Sequence, residues 1–331
     1  MSMLPWQQKQ WAQVTTAAGI DRLPHALLLT GPEGIGLTEF ALQVAGSLLC
    51  QNAGVDSMPC GQCRACVLMR AGNHPDILRV GPEEPGKQIR VDEIRALLEF
   101  MHLSSHSGRY KVAIIDPADA MNRTAANTLL KILEEPPSGA VMMLCCRQPG
   151  RLPITIRSRC QQLAFNGDCG AATQQWLAQR LEVDIGTAMA LLQRAAGVPF
   201  RAVALAEIDA LSKQDSLLQD LCQLRQTATS PVTLAQQWEA LGFPDVLAWL
   251  QEILRNAVVR KLVPGAAGNL SRENGHLQQI ADELDLSQLM ASYDLALRNY
   301  QGATGPFNLN HRGLLEEFIV HWQTTARPSR R

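Results

Sequence analysis

The feature that most constrains this sequence is the run "HALLLTGPEGIGLTEF", residues 25–40. Residues 25–30, "HALLLT", are apolar without polar alternation, as a parallel strand buried on both faces reads. A glycine-rich turn follows, and "TEFALQVAGSLLC" then repeats apolar residues at helical spacing. Strand, glycine-rich turn and helix in that order is the setting in which backbone N–H groups cradle phosphate. The turn reads Gly31, Pro32, Glu33, Gly34, Ile35, Gly36, Leu37, Thr38 against the pattern G-x-x-x-x-G-K-[ST]. Leu37 stands in the lysine position, while Thr38 is where Mg²⁺ would be held. A hydrogen bond to a charged group contributes about 1.5–3 kcal/mol, so losing the lysine weakens binding about tenfold to a hundredfold. Leucine also puts an apolar side chain where a triphosphate would sit. The competing reading of these residues is an ordinary strand-to-helix turn.

The rest of the first half repeats the alternation. Strands are expected at 76–80 ("DILRV"), 110–116 ("YKVAIID"), 140–146 ("AVMMLCC") and 160–165 ("CQQLAF"). Between them lie amphipathic helices at 91–103 and 123–135, the second stopped by Pro136-Pro137. Strands alternating with helices predict a parallel α/β sheet. After residue 170 no strand pattern remains. Helices are expected at 171–182, 187–196, 199–207, 210–228, 232–241, 244–262, 275–299 and 311–325, with a frayed basic tail, "RPSRR", at the end.

Composition bounds the partners. The 331 residues are 46% apolar and 18% charged, with net charge −1, so the chain is not a basic DNA-coating protein. No apolar run reaches 18 residues, and "MSMLPWQQKQW" lacks the blocks of a signal peptide. The expectation is a cytoplasmic protein whose nine cysteines do not form disulfides.

Four of those cysteines cluster as Cys50-x9-Cys60-x2-Cys63-x2-Cys66 in a polar insertion at about 50–74. Four thiolates this close in sequence suit a closed, structural tetrahedral Zn²⁺ site, with Gly61 in a tight turn and Arg64 offsetting charge. The ferredoxin run spaces its fourth cysteine differently and adds a proline. Two other features test the loop. The third strand ends in Asp116, where a phosphate-loop ATPase holds Mg²⁺, but Pro117 follows where a glutamate would activate water. In "RLPITIRSRC" (151–160), Arg157 and Arg159 read by themselves as surface arginines, and so does Arg201 in "AGVPFRAV".

Together, "HALLLTGPEGIG", the four cysteines, "HPD" (74–76), "ANTLLKILEEPP" (126–137) and "RLPITIRSRC" resemble the clamp-loader branch of the AAA+ ATPases. The motifs cover roughly residues 24–165. The resemblance implies a P-loop-type α/β domain at 1–166, a small helical lid at 167–208 and an all-helical collar at 209–331. It further implies a non-hydrolysing subunit with a degenerate ATP site (Gly31, Gly36, Leu37, Thr38, Asp116, Arg201) and no ATP or Mg²⁺ of its own. Cys146 and Arg147 stand where ATP-using subunits carry sensor threonines. In that family the arginine of Ser158-Arg159-Cys160 reaches a neighbour's ATP as an arginine finger, with Arg157 in support. Implied partners are the ATPase (gamma/tau) and delta subunits in a pentameric ring, and through them the sliding clamp and primed DNA in replication. The alternatives are an AAA+ ATPase with a divergent but working loop, and a zinc-dependent nucleic-acid module.

Overall fold

The apolar runs become five parallel strands, and the computed structural model describes them within residues 3–52, 58–84, 86–106, 109–207, 209–226, 229–263, 275–304 and 309–325. The chain divides into two compact units, Met1–Ala204 and Leu205–Arg331. In the first, a 3-10 turn at Pro5–Gln7 leads into α1 (Gln8–Gly19), β1 (Ala26–Thr30), α2 (Leu37–Leu49), α3 (Arg64–Arg70), β2 (Ile77–Val80), α4 (Val91–His102) and β3 (Lys111–Ile115). There follow α5 (Arg123–Glu134), β4 (Ala140–Cys146), α6 (Ile154–Arg157), β5 (Gln161–Ala164), α7 (Ala171–Leu181) and α8 (Ile185–Arg194), and the division falls within α9 (Pro199–Glu207). The sheet order is β2-β3-β4-β1-β5.

Successive side chains of a strand point to opposite faces, so a strand covered on both faces must be apolar throughout. Leu27, Leu29, Val112, Ile114, Val141 and Met143 pack with α2 on one face. Leu28, Ala113, Ile115, Met142 and Leu144 pack with residues of α4 and α5 on the other. The result is a three-layer α/β/α arrangement with two apolar layers. It matches the fold class expected from the sequence, and every strand falls within a residue of its expected place.

The "HPD" residues join β2 to the segment before β3. Asp76 is fully buried; its Oδ1 accepts from the His106 N–H at 2.8 Å and lies 3.8 Å from Lys111 Nζ. The Lys111 ammonium also donates to the Ser104 carbonyl at 3.2 Å and lies over the Phe100 ring, 4.5 Å from its centroid. His74 accepts the Asp76 N–H on Nδ1 at 3.1 Å, and burial holds its pKa below the ordinary histidine value. Burial of a charge is tolerated only with such partners.

The second unit is helical throughout its described residues: α10 (Ala210–Gln226), α11 (Pro231–Ala240), α12 (Phe243–Leu262), α13 (Gly275–Glu283), α14 (Leu286–Thr304) and α15 (His311–Thr325). Its core includes Trp238, Phe318 and Trp322. Both indoles are satisfied, Trp238 Nε1 by Asp220 Oδ2 and Trp322 Nε1 by the Leu221 carbonyl, each at 2.9 Å. No described helix is long and apolar enough to cross a membrane.

Two expectations need correction. The single helix expected over 275–299 is two helices, α13 and α14. Asp285 breaks it: its Oδ1 accepts from Gln288 N at 2.8 Å while Gln288 Oε1 accepts from Asp285 N at 3.0 Å. That reciprocal pair is a capping box, and it starts a new helix. The N-terminal stretch, read only for what it lacks, forms a 3-10 turn and α1, and part of the cysteine insertion forms α3. The tail at 326–331 lies outside the described residues.

Removing one partner of a buried ion pair leaves the other charge uncompensated, at a cost of about 3–5 kcal/mol. Asp76→Ala is expected to lower the unfolding free energy in urea by about that amount. Adding Lys111→Met should restore part of it. A loss smaller than about 1 kcal/mol, the value of an exposed pair, would show that Asp76 is not the organiser of this loop.

Candidate functional site

Gly31 to Gly36 connect β1 to α2, and the backbone there is forced by packing. Gly36 precedes α2 with φ 90°, and a Cβ on it would lie 2.9 Å from Gln7 Nε2. Gly34 has φ 85°, and a Cβ there would come within 3.0 Å of the Arg201 nitrogen. Only glycine accepts both the dihedral and the crowding. The loop carbonyls are claimed by protein donors. Trp6 Nε1 donates to the Ile35 carbonyl at 2.8 Å, Gln7 Nε2 to the Gly36 carbonyl at 2.7 Å, and the Phe200 N–H to the Gly34 carbonyl at 3.1 Å. Trp6 also meets Trp176 of α7 and Phe200 of α9 edge to face, with centroids 4.9 and 6.0 Å away, and the last two rings touch at 5.6 Å. The segment before α1, the loop and helices α7 and α9 are thus pinned at one place.

The loop opens on a cavity of about 270 Å³, lined among others by Gly36, Leu37, Thr38, Asp116, Arg147 and Phe200. Typical ligand pockets hold roughly 300–1,000 Å³. Leu37 is only 7% exposed and belongs to the apolar layer around α2. The expected obstruction is therefore corrected: most of the Leu37 side chain is buried in that layer and only its edge lines the cavity. Thr38 Oγ1 donates to Asp116 Oδ2 at 2.5 Å, so the two groups that would share a metal bond each other. Arg147 points into the cavity, with Nη1 3.2 Å from Glu33 Oε1 and Nη2 4.0 Å from Asp116 Oδ1. Glu33, Glu39 and Asp116 against Arg147 leave the lining with a formal excess of two negative charges. Gly31 sits at the base of the loop, donating to the Cys146 carbonyl at 3.3 Å. Arg201 touches the loop through its backbone while the residue is exposed. The charge balance was hidden in the sequence because Glu33, Glu39 and Arg147 meet only in the fold.

The Ser-Arg-Cys turn lies elsewhere, and Arg159 does not line the cavity. Short α6 is anchored by buried Ile156, and Cys160 is buried at the start of β5, where burial pushes its thiol up to about 11. Ser158 Oγ donates to the Thr155 carbonyl at 3.1 Å. Arg159, between these fixed residues, is exposed. Its Nη1 donates to the Thr155 carbonyl at 3.1 Å and its Nη2 lies 2.7 Å from Glu134 Oε1. Arg157 is only half-buried, and exposed Ile154 stands one turn earlier.

The four predicted cysteine ligands converge. Their sulfurs all lie within 4.8 Å of one another, with Cys50–Cys63 at 3.8 Å and Cys60–Cys66 at 3.9 Å. A tetrahedron with metal–sulfur bonds of about 2.3 Å has edges of about 3.8 Å, so the spacing fits a Cys₄ metal site. The N–H groups of Cys60, Cys63 and Cys66 point at the sulfurs of Cys50, Cys60 and Cys63, at 3.4, 3.4 and 3.5 Å. The N–H groups of Gln62 and Cys63 hold the exposed Cys60 thiol down to about 6, whereas burial pushes Cys66 up to about 12. Cys63 is also held low, since backbone N–H groups of Cys66 and Gln51 outweigh its burial. Gly61 turns with φ 74°, and its carbonyl is bound by Arg70 Nη2 at 3.0 Å. Arg70, missed in the sequence, braces the knuckle, whereas Arg64 is exposed.

Comparison with known proteins adds to this geometry. A family described as DNA polymerase III, delta subunit matches residues 6–168. The chain is similar to DNA polymerase III subunit delta' of Pseudomonas aeruginosa, at 35% identity over 98% of each chain. It is similar to the subunit of that name from Escherichia coli K12, at 31% identity over 88% of this chain and 86% of the other. It also resembles DNA polymerase III subunit tau/gamma of Haemophilus influenzae, at 35% identity, over 47% of this chain and 24% of that one.

If Gln7 holds the loop, Gln7→Ala removes one donor from the Gly36 carbonyl, which keeps the Phe40 N–H at 3.0 Å, a net loss of about 0.5–1.5 kcal/mol. Its own Oε1 has no partner among the described residues, which lowers the net value to about 1 kcal/mol or less. Amide hydrogen exchange over residues 31–38 should speed up by up to about fivefold. Unchanged exchange there would mean that the loop is held by other contacts.

Proposed function

The chain belongs to the DNA polymerase III subunit delta' family, and from that premise we propose that it is a non-hydrolysing stator of the clamp loader. In this reading it assists ATP-driven loading of the sliding clamp onto primed DNA and lends Arg159 to a neighbouring ATPase subunit. The observation that carries the reading is the contrast between its two charged sites. The loop cavity has no lysine and an excess of carboxylates, while Arg159 is offered to solvent on an anchored turn. Pro117, where an active site would place its glutamate, can neither activate water nor donate a hydrogen bond.

An arginine finger stabilises charge developing on a transferred phosphoryl group, and it contributes about 10³- to 10⁵-fold in rate, about 4–7 kcal/mol. Held on a separate subunit, it acts only in the assembled ring. A stator needs a lid that does not follow nucleotide. The contacts of Trp6, Gln7, Trp176 and Phe200 support that role, since they tie lid to loop through protein groups. The proposed domains remain 1–166, 167–208 and 209–331, the last serving as a collar that joins gamma/tau and delta subunits in a pentamer. In the same reading the cysteine cluster holds one structural Zn²⁺, with Cys50, Cys60, Cys63 and Cys66 as ligands. A closed Cys₄ site of this kind stabilises its loop and leaves no position for a reacting water.

In a complex reconstituted with gamma/tau and delta subunits, Arg159→Ala should slow single-turnover hydrolysis at the adjoining site by about 10³-fold or more. Normal DNA-stimulated ATP turnover and clamp loading would sink the finger role. Mg·ATP turnover by the chain alone would favour a working loop instead. For the metal, the wild-type chain should contain zinc at a 1:1 ratio and Cys63→Ser should lose most of it, because three thiolates bind far less tightly than four. Unchanged zinc in the variant would rule out this ligand set.

A further inference from the structure

Helix α5 ends in Glu134, with Glu135 next and Pro136-Pro137 closing the way. Two carboxylates at a helix C-terminus oppose the helix dipole, which favours cations there. A local preference broken without gain to the fold marks a functional position. The Glu134 carboxylate makes a direct contact: Oε1 lies 2.7 Å from Arg159 Nη2. The pair is not a structural staple, because the two side chains keep 51% and 38% of their surface and exposed pairs contribute little to stability.

We propose that Glu134 is the positioning residue for Arg159, an inference that rests on the finger role proposed above. Glu134 and the Thr155 carbonyl accept from Nη2 and Nη1, so they fix both ends of the guanidinium fork. The rigid planar fork then directs its other N–H groups away from these two acceptors, toward an incoming anion. Without the carboxylate the long arginine side chain samples many rotamers, and only a fraction of them present the fork in reach of a phosphoryl group. Glu134 acts through Arg159 and touches no reacting atom. Its removal therefore lowers the population of the reactive geometry and leaves nucleotide binding in the neighbour's own pocket as it was.

The test uses the reconstituted complex and four variants. Glu134→Ala should lower kcat for ATP by about two- to fivefold, the range an exposed pair's coupling converts to. KM for ATP should stay unchanged, complex mass should stay intact, and Glu134→Asp should recover part of the loss. In an Arg159→Ala background, Glu134→Ala should add nothing. If Arg159→Ala slows turnover but Glu134→Ala does not, the positioning role is overturned while the finger stands. A further loss in the Arg159→Ala background, or a rise in KM alone, also overturns it. If Arg159→Ala itself has no effect, the finger reading and this inference fall together.

Discussion

The carbonyls of Gly34, Ile35 and Gly36 need donors, and the first unit is arranged around supplying them. In a phosphate loop that works on nucleotide, the ligand itself orders the backbone through its N–H groups and the helix N-terminus. Here order comes from the other polar half of the peptide. Trp6, Gln7 and the Phe200 N–H hold the carbonyls in place. The consequences run outward. Pro5–Gln7 must turn so that both side chains reach the loop. Helix α9 must begin against Gly34, and the three rings of Trp6, Trp176 and Phe200 must meet. Gly36 has to remain glycine because its place is filled from both sides.

A loop held this way is released from holding charge. Thr38 turns to Asp116, and Arg147 lies between Glu33 and Asp116. With 40% of Arg147 and 77% of Glu33 exposed, that ion pair adds little stability. Three carboxylates, Glu33, Glu39 and Asp116, thus line the cavity against the one guanidinium of Arg147. The buried Asp76–Lys111 pair behaves oppositely: desolvated on all sides, its charges tolerate no such freedom.

How much of this the sequence reveals follows from how local each signal is. The strands are legible because burial on both faces makes β1, β3 and β4 continuous apolar runs. The cysteine cluster is legible because its four thiols lie within seventeen residues of one another. Helix α1, "QKQWAQVTTAAG", is not, since its buried face is only Val14, Thr15 and Ala18. The Asp285-x-x-Gln288 box was readable but stood inside a longer helical pattern that masked it. Neither the Trp6 and Gln7 clamp nor the Glu134–Arg159 pair is local. Each joins residues at least 25 positions apart, and no periodicity records such a meeting.

Arg159 shows why site and fold separate so cleanly in this chain. Its turn is built by residues the fold needs, Ile156 and Cys160, both buried. The arginine and its carboxylate partner are exposed, and a pair of that kind is worth about 0–1 kcal/mol to folding. Selection for stability alone would therefore leave position 159 nearly unconstrained, and would disfavour an acid at 134, where the helix dipole opposes it. A side chain that the fold does not require, carried on a turn that the fold holds still, is suited to present a charge to another molecule. The loop is the converse case: a frame the fold does require, held by contacts from Trp6, Gln7 and the Phe200 N–H.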